Sequence, residues 1–260
     1  MPRRSKVEPG LAPSREVFVW YRFTDAMTEE ERRRRDLFAF AEDRRDFTAA
    51  HALLRTRLEG HATLPAAAWQ FRRGTHGKPH VVEEQAGWPP LHVNLSHTRG
   101  LVACVIARGI DVGVDVERLG RIVEARALAN RFFSVTEVAA LNGAPSGDFD
   151  VRFLELWTLK EAYVKGEGRG LAQPFHSFGF SFDCADGLGF RAPADTPTPS
   201  WQFTLTAPSE VHRLSVAVLS GPTGSASKIT IRDVDRRSPA ATRRSVLRRT
   251  RDTVVEFASE

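Results

Sequence analysis

Apolar residues recur along this chain with a period of two in some stretches and close to 3.6 in others, and the switches between the two periods mark its elements. Residues 17–23 place apolar and aromatic side chains at strand spacing. From 28 to 58 the spacing turns helical. That stretch opens on Glu29, Glu30 and Glu31, which suit the positive end of a helix dipole, with arginines behind them. A break near residues 40–42 divides it into two helices. Strand patterns follow at 69–72, 91–96, 101–107 and 112–117, and helical ones at 124–132, 136–141 and 150–165. Strand patterns return at 178–182, 202–206, 214–219 and 229–234, with a loop at 192–200 that carries Pro193, Pro197 and Pro199 after the first of them. Residues 1–15 hold Pro and Arg without periodicity and are expected to be disordered. This mixture predicts an α+β fold.

Composition narrows the class. Of 260 residues, 27% are charged and 42% hydrophobic, as in a soluble globular protein. The apolar run at 101–107 is far too short to span a bilayer. The basic start, Met1 to Lys6, is not followed by an apolar segment, so no secretory signal is expected. Cys104 lies in an apolar strand and Cys184 in a polar loop, without metal or redox spacing. A reducing cytoplasm is the expected location. The net charge is +5, but residues 221–260 hold nine Lys or Arg against five acids. The body is therefore nearly neutral, which argues against nucleic-acid binding. The basic tail, 236–260, is expected to form a helix from its grouped Val246, Leu247, Val254, Val255 and Phe257.

Four short motifs carry candidate chemistry. In Trp157-Thr158-Leu159-Lys160-Glu161-Ala162-Tyr163-Val164-Lys165, helical spacing puts Trp157, Glu161 and Lys165 on one stripe, running into the glycine-punctuated Gly166-Glu167-Gly168-Arg169-Gly170-Leu171. Alone, Glu161 and Lys165 would read as a surface ion pair. In Gly113-Val114-Asp115-Val116-Glu117, strand alternation turns both carboxylates to one side and both valines to the core. With a third carboxylate nearby, that side becomes an oxygen-rich site suited to magnesium. Asn94-Leu95-Ser96-His97-Thr98 ends a strand with groups that can bind phosphate, and no G-x-S-x-G elbow surrounds Ser96. Gly74-Thr75-His76-Gly77-Lys78-Pro79 is a turn with one lysine set by a proline.

In this order and spacing the motifs resemble the Sfp-type 4′-phosphopantetheinyl transferases, from about residue 17 to 234, and Arg131 to Glu137 resembles the segment between the last two. The resemblance implies a pseudo-dimer of two similar α+β halves, here 16–112 and 113–235, with the active site in the crevice between them and the chain monomeric. It implies transfer of the phosphopantetheine arm of coenzyme A to a serine of an apo acyl- or peptidyl-carrier protein, with release of adenosine 3′,5′-bisphosphate. Asp115, Glu117 and Glu161 are then the expected Mg²⁺ ligands, Glu161 or Glu117 the general base, and Lys165 the cation at the leaving phosphate. Lys78 and the backbone around Arg73, Gly77 and Pro79 are expected against the adenosine, with Ser96 and His97 on phosphate. Arg45 and Arg34 are expected at the 3′-phosphate, in a region that departs from the family because Asp46 stands where a basic residue is frequent.

Two other classes fit parts of the pattern. A magnesium-dependent nucleotidyl or phosphoryl transferase could use the same acids, but no P-loop or G-x-G-x-x-G is present. An inactive scaffold would not need all three acids and Lys165. Neither a nucleic acid nor a membrane is expected as a partner.

Overall fold

The computed structural model describes residues 16–23, 41–76, 78–182, 187–194, 201–220, 227–234, 246–250 and 253–258. In chain order its elements are β1 (Glu16–Phe23), α1 (Ala41–Leu58), β2 (Phe71–Arg73), β3 (Pro79–Val81), α2 (Glu83–Ala86), β4 (Leu91–Thr98), β5 (Leu101–Arg108) and β6 (Val112–Arg118). Then come α3 (Ala125–Phe132), α4 (Val135–Asn142), α5 (Phe149–Glu167), β7 (Gly179–Ser181) and β8 (Gly189–Arg191). The last strands are β9 (Trp201–Ser209), β10 (His212–Leu219), β11 (Ser227–Asp233), β12 (Val246–Arg249) and β13 (Thr253–Ala258). Among the described residues no helix is long and apolar enough to cross a membrane. Residues 1–15, Arg34, Gly77 and the region of the break expected at 40 lie outside or at the edge of the described residues.

Two sheets form the frame, one of five strands in the order β13-β11-β1-β5-β4 and one of four in the order β12-β9-β10-β6. They share an apolar layer. Val19, Ala103 and Val105 enter it from the first sheet, and Val114, Val116 and Val216 from the second. The alternate residues of β5, Val102, Cys104 and Ile106, point the other way onto α1, beside Leu54 and Trp69. A strand covered on both faces reads as an unbroken apolar run, and residues 101–107 have that pattern. Burial also lifts the Cys104 thiol pKa to about 12, so it acts as a small hydrophobe. The outer face of the second sheet is covered by α5, with Leu159 and Tyr163 against Phe203.

One expectation differs from this arrangement. The tail forms strands instead of a helix: β12 pairs with β9, and β13 runs parallel to β11. The β-branched Thr253, Val254 and Val255 lose rotamer freedom in a helix. Here, Thr253 is buried and a ladder is available beside it. The chain also crosses the division at residue 112. β11 returns from the second half to pair in parallel with β1, Val19 opposite Ile231.

Candidate active site

Strands β4 and β6 are each the last strand of their sheet, and side chains fasten one to the other. Asn94, Ser96 and Thr98 share one face of β4 by strand alternation. The Asn94 carbonyl oxygen accepts the Val114 N–H at 3.0 Å and the Ser96 Oγ accepts the Val116 N–H at 3.2 Å. Polar side chains therefore satisfy buried amides of the β6 edge, where an unpaired N–H would be costly. The same row reaches the carboxylates. The Ser96 hydroxyl donates to Asp115 Oδ1 at 2.8 Å, and Thr98 donates to Glu117 Oε2 at 3.1 Å.

From the other side, α5 packs onto β6 at backbone distance. A Cβ on Gly113 would collide with the Ala162 carbonyl and with Gly166 of α5, so only glycine fits there. That approach sets Lys165 over β6, with its ammonium 2.6 Å from Asp115 Oδ1 and 3.1 Å from Ser96 Oγ. As the alternation predicted, Val114 and Val116 face the inter-sheet core while Asp115 turns toward α5. Leu95, Ser96, His97, Asp115, Glu117, Trp157, Glu161 and Lys165 together line an open pocket of about 330 Å³.

Charge in this pocket is unbalanced toward acid. Burial, then the Asp115 charge, push the Glu161 carboxyl up to about 7, with Glu117 adding to the rise and Lys165 opposing it. Burial and Asp115 also raise Glu117, against Arg121 and the Thr98 hydrogen bond. Burial pulls Lys165 down, but Asp115 and Glu161 outweigh it and its pKa ends raised. Asp115 Oδ1 is held by Ser96 and Lys165, whereas its Oδ2 is buried without a hydrogen-bond partner. A buried carboxylate oxygen left bare, facing two protonation-prone carboxyls, fits a hard cation. Among the described residues no three His, Cys, Asp or Glu side chains close into a ready metal cage.

Two further pockets adjoin this one along β4. One, of about 360 Å³, is lined by His51 and Arg55 of α1, Arg73, Pro79, Leu95 and His97. The other, of about 180 Å³, includes His76, Lys78, Pro79, Leu95 and Lys165. Leu95 borders all three, so they form one cleft leading from basic groups to the acids. Burial and the nearby charges of Arg55, Arg73 and His97 lower the His51 pKa. His51 and Arg55 were not anticipated, although their i, i+4 spacing puts them on one helix face. Arg55 also shapes the wall, donating to the Trp69 carbonyl at 2.6 Å and lying over the Phe71 ring. Arg45 is half-buried on α1 and does not line this pocket, and Asp46 beside it is buried.

Two anticipated ligands are already engaged. The Ser96 hydroxyl has three protein partners, so it orients Asp115 and Lys165 in this state. The Lys78 ammonium donates to the Gly166 carbonyl at 2.7 Å and the Val112 carbonyl at 3.3 Å, leaving its stem to line the cleft. A larger cavity of about 670 Å³ lies away from this chemistry, between α4, α5 and the β7–β8 hairpin. Its Glu137 carboxylate is held 2.9 Å from the Lys160 ammonium.

Comparison with known proteins finds two family matches that together run from residue 12 to 218. Residues 111–218 match the 4′-phosphopantetheinyl transferase superfamily and residues 12–108 match the 4′-phosphopantetheinyl transferase N-terminal family. The chain is 33% identical over 147 residues to the 4′-phosphopantetheinyl transferase HetI of Nostoc sp., covering 56% of this chain and 62% of that protein. It is 29% identical over 157 residues to the 4′-phosphopantetheinyl transferase Sfp of Bacillus subtilis strain 168, covering 60% of this chain and 67% of that protein. To another 4′-phosphopantetheinyl transferase of Bacillus subtilis it is 30% identical over 159 residues, with the same coverage of 60% and 67%. The chain thus spans somewhat under two thirds of HetI and about two thirds of the Bacillus proteins.

Proposed function

This chain belongs to the 4′-phosphopantetheinyl transferase family, of the Sfp type, and on that footing we propose that it moves the phosphopantetheine arm of coenzyme A onto a serine of an apo acyl- or peptidyl-carrier protein. The observation that carries the reading is the meeting of Asp115, Glu117, Glu161 and Lys165 in one pocket, at the end of a cleft lined by His51, Arg73 and His97.

The serine oxygen attacks the β-phosphorus of coenzyme A. The bond from that phosphorus to the bridging oxygen breaks, and adenosine 3′,5′-bisphosphate leaves. Glu161 or Glu117 accepts the serine proton, directly or through water. Lys165 neutralises charge developing on the leaving phosphate. Ser96 and Thr98 hold Asp115 and Glu117 in place without taking part in proton transfer. Asp115, Glu117 and Glu161 would hold Mg²⁺, which supplies Lewis-acid polarisation and a template for the pyrophosphate when bound. His97 donates to phosphate and Arg73 neutralises the nucleotide end, while His51, kept neutral by its lowered pKa, lines the wall beside it. The stem of Lys78 and Pro79 form the wall against the adenosine. We read the two sheets, each with its long helix, as related halves of a monomeric α+β pseudo-dimer acting in the cytoplasm.

The test is release of adenosine 3′,5′-bisphosphate, measured by chromatography, from coenzyme A, Mg²⁺ and an apo-carrier. Release should require all three components and stop with chelator. Release without a carrier, or from carriers lacking the serine, contradicts the reading.

A further inference from the structure

We propose that Lys78 is a positioning residue, whose ammonium ties the helix bearing Glu161 and Lys165 to the strand bearing Asp115 and Glu117. This rests on the transfer reaction proposed above. The lysine precedes β3, far in sequence from both elements it touches. Its Nζ donates to the Gly166 carbonyl at 2.7 Å and the Val112 carbonyl at 3.3 Å, and it lies 3.7 Å from Asp111 Oδ1. A lysine has three donors, and these three acceptors surround them. The side chain is 8% exposed, so water does not substitute for the acceptors.

The two carbonyls have leverage on the site. Gly166 follows Lys165 in the last turn of α5, where carbonyls have no partner within the helix and a cation is favoured. Val112 opens β6, three residues before Asp115. Next to it, Gly113 is where α5 and β6 touch backbone to backbone. Asp111 completes the clasp and is itself held by His92 at 3.0 Å. One ammonium therefore bridges the two backbones at the point where their spacing sets the distance from Glu161 and Lys165 to Asp115. Misplacement by about 1 Å in such a constellation can cost roughly a hundredfold in rate.

Lys78→Met keeps the apolar stem along the cleft and removes the ammonium. If the lysine positions the two elements, kcat falls by about tenfold or more while KM for coenzyme A stays within about threefold. Calorimetric binding of coenzyme A without metal stays close to wild type. A contact of the ammonium with the nucleotide predicts the reverse, with KM and Kd raised and kcat kept. That result, or no change in any of the three, overturns the proposal. Lys78→Gln retains an amide donor and makes the same comparison if the methionine variant does not fold, with a smaller fall in kcat expected. Wild type is assayed beside them. If it modifies no carrier, the transfer reading fails; if it is active and the variants match it, only the positioning role fails.

Discussion

Asp115 is asymmetric at the level of single atoms, with two donors on Oδ1 and none on the buried Oδ2. Asp115→Ala removes the acceptor of Ser96 and the closest carboxylate of Lys165. It should abolish transfer and lower stability in metal-free buffer by about 1–3 kcal/mol, read by denaturant unfolding. Retained turnover in that variant rules Asp115 out as a metal ligand. Glu161→Gln should behave oppositely in stability, because it removes one of three crowded negative charges. The folded Glu161 carboxyl is raised from 4.5 to about 7. The folded state therefore binds the extra proton between those values, and the stabilisation is lost as pH rises toward and past 7. With chelator present, wild type should lose melting temperature from pH 5 to 8, and Glu161→Gln should lose less. Equal slopes would show that Glu161 does not titrate in that window. Spacing made legible which faces Asp115, Glu161 and Lys165 occupy, since alternation and the i, i+4 stripe identify faces, but their meeting in one site was implied only by the family resemblance. The engagement of Ser96 and Lys78 was not legible, because their partners lie on distant elements.

Between elements, the determining contacts are a glycine and a buried ion pair. Gly113→Ala would push α5 off β6, so the variant should lose about 1–3 kcal/mol or more of stability and most of its activity. A thermal melt and an assay of the same sample check both. Normal activity would mean that α5 can shift without disturbing Glu161 and Lys165. Farther along α5, Lys160 is fully buried against Glu137, which also accepts the Ser134 and Phe180 N–H groups. Ser134 and Glu137 form a capping box that starts α4. Lys160→Met leaves Glu137 buried without its cation and should cost about 3–5 kcal/mol, with KM for coenzyme A unchanged in the folded fraction. From sequence, residues 131–137 were recognisable as a family segment, but their work in joining α4, α5 and β7 was hidden. Helix 150–165 and strand 112–117 were legible because each pattern is long and regular. The tail strands were missed because five apolar residues fit either period until the pairing edge is known.

For the whole molecule, the second half of the chain completes the first sheet. β11 lies between β1 and β13, so the five-stranded sheet depends on strands from both ends of the sequence. The α+β class followed from the alternation of patterns, whereas this crossing did not, since strand order depends on pairings that periodicity does not encode. The cleft runs along β4 at the seam between sheets, which is where one substrate can touch groups from both. The most direct measurement of the central claim is intact mass spectrometry of a panel of apo acyl-, aryl- and peptidyl-carriers incubated with this protein, coenzyme A and Mg²⁺. At least one carrier should gain the mass of a single phosphopantetheine on its serine, and the gain should vanish with Asp115→Ala. If every carrier stays unmodified while a control transferase modifies the same panel, the account is contradicted.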